Sequence, residues 1–97
     1  MTNDWNDWMR DVCAFRYALG RRTYVAGMCA DALAADWKAL HPKAQQLIAR
    51  DLREEIERDD ESRAEQSTYH PLGDDCDRQA WLRLMRTIEV NEKEGGQ

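Results

Sequence analysis

Phe15-Arg16-Tyr17-Ala18-Leu19-Gly20-Arg21-Arg22-Thr23-Tyr24 decides the fold of this 97-residue chain, because it reads as a helix end, a tight corner and a helix start. Gly20 can take the left-handed conformation that ends a helix without the steric cost of a Cβ. Thr23 suits the N-cap of the next helix. Upstream, Trp5, Trp8, Met9, Val12, Tyr17 and Leu19 recur at spacings near three and four, the mark of one apolar face, and Asn3 or Asp4 can cap it. Downstream, a second helix is expected from Thr23 to Leu40, with Tyr24, Val25, Met28, Cys29, Leu33, Trp37 and Leu40 on one stripe. Its alanines (Ala26, Ala30, Ala32, Ala34, Ala35) favour helix and let a neighbour approach closely, so this helix is expected to be central.

Pro42 fits the first turn of a third helix, whose Leu47, Ile48, Leu52 and Ile56 form a narrow stripe. That pattern fades between Arg58 and Ser67, and Tyr69 to Gly73 reads as a loop packed through Tyr69 and Leu72. Asp74 or Asp75 caps a last helix with Trp81, Leu84, Met85 and Ile88 facing inward. The expectation is an all-α chain, a small three- to four-helix bundle, with one helical domain over 1–90 and a disordered tail over 91–97.

Composition narrows the classes. At 42% apolar and 34% charged residues the chain is neither a disordered acidic tail nor a membrane protein. Its N-terminus lacks the basic and then apolar segments of a signal peptide, so the cytoplasm is the expected location. A net charge of −5 disfavours bulk affinity for nucleic acid and favours a basic protein partner or simple solubility.

Chemistry-bearing groups are sparse. Cys13, Cys29 and Cys76 stand at irregular spacing, which fits reduced and mostly buried thiols; with His70 they form no close ligand pair, and no metal or cofactor is expected. His41 and His70 each precede a proline and read as loop residues, so no catalytic group and no enzyme is expected. The charge is concentrated instead. Asp51, Glu54, Glu55, Glu57, Asp59, Asp60, Glu61 and Glu65 face only three arginines over 51–65. Such a segment is either a solvated face laced with pairs such as Glu54–Arg58 or an acidic surface that docks on a basic protein groove. Asp51, Glu54, Glu55, Glu57, Asp59, Asp60 and Glu61 are the candidate partner-binding residues.

Arg16, Arg21 and Arg22 form an opposite pole. Cations there stabilise the C-terminal end of a helix, and arginine's planar fork also suits phosphate or carboxylate. Trp37 and Trp81 read as core. Trp5 and Trp8 serve either as core or, with the arginines, as a secondary interface for a partner or a second copy.

The run from Phe15 to Tyr24, with the later Cys76-Asp77-Arg78-Gln79-Ala80-Trp81, resembles a group of short proteins encoded by phages and prophages that carry F-R-Y-A-L-G-R-x-T-Y before an alanine-rich helix. The resemblance implies a phage origin and the cytoplasm of an infected or lysogenic bacterial host. By type, a small acidic phage protein without an enzyme signature is similar to anti-CRISPR inhibitors, which bind host interference complexes and block target DNA. That likeness implies a stoichiometric inhibitor occupying a basic DNA-contacting surface of a Cas subunit, with no direct nucleic acid and no membrane. The alternatives are a phage accessory protein that binds nucleic acid through the arginine corner, and a structural helical module that forms a homodimer through Trp5 and Trp8.

Overall fold

A computed structural model describes the backbone of residues 4–19 and 24–95 and the side chains of residues 8–19 and 26–94. Four helices carry the fold: α1 (Asp4–Leu19), α2 (Tyr24–Ala35), α3 (Pro42–Ala64) and α4 (Asp75–Gly95), with a 3-10 turn at Trp37–Ala39. No strand occurs among the described residues, and the chain is an all-α bundle. The expected corner at Gly20, the cap at Thr23, and Arg21 and Arg22 lie outside the described residues.

In α1 the buried positions are Trp8, Val12, Phe15 and Ala18, one step round from the expected stripe. Phe15 is inside and Tyr17, 62% exposed, is outside. Helix α2 buries its small residues, Ala26 and Ala30 with Leu33, whereas Met28 points outward. Small side chains let α2 lie close against α4, and a Cβ on Gly27 would already sit 3.7 Å from Ala80 Cβ. The α2–α4 contact is the most extensive in the bundle; α1 packs on both α2 and α3.

The second helix is shorter than its periodicity suggests. Ahead of Pro42 the α region is disfavoured, and His41 is extended at φ −59°, ψ 139°. The chain tightens first, with Ala39 and Leu40 donating to Asp36 and Trp37 carbonyls. Trp37 is buried by that turn, and its carbonyl also accepts from Gln45 Nε2 at 2.6 Å. His41 is more than a loop residue: its Nδ1 accepts from the Lys43 N–H at 3.1 Å as the N-cap of α3, and its ring stacks on Trp8 at 5.9 Å.

Helix α3 continues two turns past the end of its apolar stripe. It closes with Ser67 N–H donating to the Ser62 carbonyl and Gln66 N–H to Arg63, a Schellman closure with Gln66 at φ 59°. Leu72 and Pro71 are buried in the following loop, whereas Tyr69, expected to pack, is 61% exposed. Asp74 caps α4, its Oδ1 accepting from the Asp77 N–H at 3.0 Å. Ala80, Trp81, Leu84, Met85 and Ile88 line the buried side of α4, with Phe15 edge-on to Trp81 at 5.6 Å. Residues 91–95, expected to be a disordered tail, extend α4.

Candidate partner-binding surface

The seven acids singled out in the sequence separate into three groups. Asp59 has no exposed surface, so it cannot meet a partner and is removed from the candidate surface. Its inward position follows from helical spacing: Leu52, Ile56, Asp59 and Arg63 continue the buried stripe of α3 at intervals of four, three and four. Arg63 Nε donates to Asp59 Oδ2 at 2.6 Å, Arg78 Nη1 donates to the same oxygen, and the Leu72 N–H donates to Oδ1 at 3.2 Å. Arg63 also reaches the Gly73 carbonyl at 3.1 Å, while Arg78 binds Asp60 at 2.7 Å. Burial pushes the Asp59 carboxyl up, but the bonds from Arg63, Leu72 and Arg78 outweigh it and hold it below the ordinary carboxylate value. This clasp ties α3, the 67–74 loop and the start of α4 together.

Three other acids are on the surface but occupied. Asp51 pairs with Arg16 at 3.0 Å and lies 3.5 Å from Arg50; Glu55 pairs with Arg58, and Asp60 with Arg78. The expected Glu54–Arg58 pair is replaced by the Glu55–Arg58 pair one position along. The Arg16–Asp51 bridge means that the two surfaces read as rivals in the sequence meet across α1 and α3 and neutralise each other there.

Glu54, Glu57 and Glu61 remain, joined by Glu65, which sequence reasoning counted but did not select. All four are exposed, and none takes part in an ion pair among the described residues. Spaced three and four apart, they form one ridge on the side of α3 opposite Ile48, Leu52 and Asp59. Like charges at that spacing oppose helix formation by about 0.2–0.5 kcal/mol a pair. Glu61 and Glu65 also stand in the last turn and at the C-cap of α3, where the macrodipole disfavours anions, while the first turn, which begins with Pro42, holds no acid. The ridge therefore works against the helix that carries it.

The secondary interface fares differently residue by residue. Arg16 is half exposed but engaged with Asp51. Trp8 is 9% exposed, part of the core and stacked on His41, so it does not supply a free aromatic face. Trp5's side chain, with Arg21 and Arg22, lies outside the described residues. The cysteines depart from expectation: Cys13 and Cys76 are exposed, and only Cys29 is partly buried, its thiol pushed up by desolvation. No described helix is long and apolar enough to cross a membrane. Comparison with protein-family models, curated proteins and solved structures finds no match to this chain.

Proposed function

We propose that this protein acts by stoichiometric binding, with the Glu54–Glu57–Glu61–Glu65 ridge of α3 docking on a basic protein surface that otherwise contacts nucleic acid. The observation that carries the reading is a ridge of unpaired acids held against mutual repulsion, with Glu61 and Glu65 also set against the helix dipole. Surface charge that lowers the stability of its own helix is explained by a use outside the fold. Complementary charge across an interface speeds encounter and excludes wrong partners, which suits an inhibitor that must reach its target ahead of DNA.

The likeness of type to anti-CRISPR proteins makes a Cas effector complex the proposed partner, within a phage-infected bacterial host. The test is a gel-shift series in which crRNA-loaded effector complexes are mixed with the protein before labelled target DNA is added. Binding of the effector and loss of the DNA shift support the reading. A shift of DNA by this protein alone would instead favour the arginine corner as a nucleic-acid site.

A further inference from the structure

We propose that the cleft bounded by the 3-10 turn, the first half of α3 and the last half of α4 is a binding site for a small organic anion with a flat apolar body. The cleft is an open groove of about 650 Å³, within the roughly 300–1,000 Å³ usual for small-molecule sites. Its floor is apolar: Trp37, Ala49 and Ile88 line it and are themselves nearly or fully buried. Ala49 contributes only a methyl group to that floor, so a larger side chain there would take up part of the space. Three cations line the rim, Lys38, Arg50 and Arg53, with Glu92 as the carboxylate in the lining and Glu94 and Asp51 just outside it. Three cations around one apolar floor give an incoming anion several donors, each held only by an exposed or one-sided carboxylate pair.

The rim cations are lightly held. Arg53 pairs with Glu92 across the cleft, but both side chains are about half exposed, 45% and 52%. Lys38 meets Glu94 at 3.6 Å with both ends in water, and Arg50 lies 3.5 Å from its neighbour Asp51. Exposed pairs of this kind contribute about 0–1 kcal/mol, so an anion brought in on an apolar body can displace Glu92 from Arg53. Arginine's planar fork then receives a carboxylate, sulfonate or phosphate oxygen pair. The floor is preorganised, because Gln45 Nε2 holds the Trp37 carbonyl at 2.6 Å and fixes the turn. Affinity here comes from the rim charge and the apolar floor acting on one ligand.

Two probes of matched shape separate these contributions. 8-Anilino-1-naphthalenesulfonate carries the anion, and N-phenyl-1-naphthylamine lacks it. With the folded full chain, the sulfonate should bind one saturable site, read by its fluorescence under tryptophan excitation. Arg50→Gln with Arg53→Gln should weaken the sulfonate by about tenfold or more and the neutral probe by less than about threefold. Gln46→Glu, a surface change on the same rim, should likewise weaken the sulfonate selectively. Ala49→Leu should reduce both by filling the floor. Absence of saturable sulfonate binding, or equal losses for both probes in the arginine variant, would overturn the proposal. So would full binding by a folded Ala49→Leu protein. Glu54→Lys, Glu57→Lys and Glu61→Lys together leave this cleft's lining untouched, so failure here and failure of the acidic ridge are read separately.

Discussion

Asp59→Ala removes a carboxylate that is fully buried and accepts three hydrogen bonds, from Arg63, Arg78 and the Leu72 N–H. Truncating one member of a buried ion pair costs about 3–5 kcal/mol, because the remaining charges are left uncompensated. Here the figure is discounted. The Arg63 and Arg78 side chains keep 26% and 20% of their exposure, and each has a second carboxylate, Asp75 and Asp60. The expected cost is therefore about 2–4 kcal/mol, which for a domain of this size lowers the melting temperature by roughly 10–25 °C. Asp59→Asn keeps an acceptor for Leu72 and should cost about half as much. Replacing the three charges with apolar residues (Asp59→Leu, Arg63→Met, Arg78→Met) should recover part of the loss, as no buried charge remains while the Leu72 N–H and Gly73 carbonyl lose their partners. Thermal melts followed by circular dichroism read all three. An Asp59→Ala protein melting within about 2 °C of wild type would refute the clasp. At temperatures where it stays folded, its partner binding should equal that of the wild type, which separates Asp59 from the acids of the ridge.

Gln66 occupies the left-handed region, φ 59°, that costs a side-chain-bearing residue roughly 1–2 kcal/mol; Gln66→Gly should stabilise by about 0.5–1 kcal/mol once glycine's extra chain entropy is counted, and a lower midpoint in urea would contradict this. Gly73→Ala should do the reverse by more than about 1 kcal/mol, since Gly73 has φ 84° and a Cβ there would lie 2.7 Å from Asp77 Oδ2. Asp59's depressed carboxyl contributes stability that is present above the ordinary value near about pH 4 and is lost as pH falls through its lower folded value; Asp59→Asn should flatten that acid limb of melting temperature against pH. Asp77 has the opposite sign, pushed up first by burial and then by Asp74, so stability falls as pH rises from about 4 through its raised value; Asp77→Asn should remove that decline, and an unchanged profile would refute the assignment.

Elements punctuated by backbone chemistry were legible in the sequence. Pro42 fixed where α3 begins, the Asp74–Asp75 pair marked the start of α4 with Asp74 proving the cap, and the tryptophans at 37 and 81 identified core because both sit on strong apolar stripes. The misreadings came where hydrophobicity and burial part company. Helix α2 turns Ala26 and Ala30 inward and Met28 outward, and at Gly27 even a Cβ would already touch Ala80. The end of α3 looked like a fading pattern because its inward positions become Asp59 and Arg63, charges that neutralise one another rather than apolar residues. The signal was present in the spacing, as Asp59 and Arg63 continue the Leu52–Ile56 stripe and stand one turn apart. What the spacing alone did not supply was Arg78, nineteen positions along the chain, whose approach makes burial of that carboxylate possible. The acidic segment was visible as composition, but its division into buried, paired and unpaired acids depended on which arginines the fold brings near.

The most direct measurement is the association rate of the protein with the partner proposed for it, a crRNA-loaded effector complex, wild type against Glu54→Lys, Glu57→Lys and Glu61→Lys combined. Circular dichroism should show the triple variant folded, with a melting temperature near that of the wild type, because all three positions are exposed and like-charge repulsion along the ridge is exchanged rather than created. An acidic docking ridge requires association to slow by about ten- to a hundredfold, and wild-type association to slow with added salt as the Debye length falls from about 10 Å at 0.1 M to about 3 Å at 1 M. Inhibition of target-DNA binding should fall in parallel. A folded triple variant that associates and inhibits as fast as the wild type would contradict the central claim and leave the ridge as a solvated helix face.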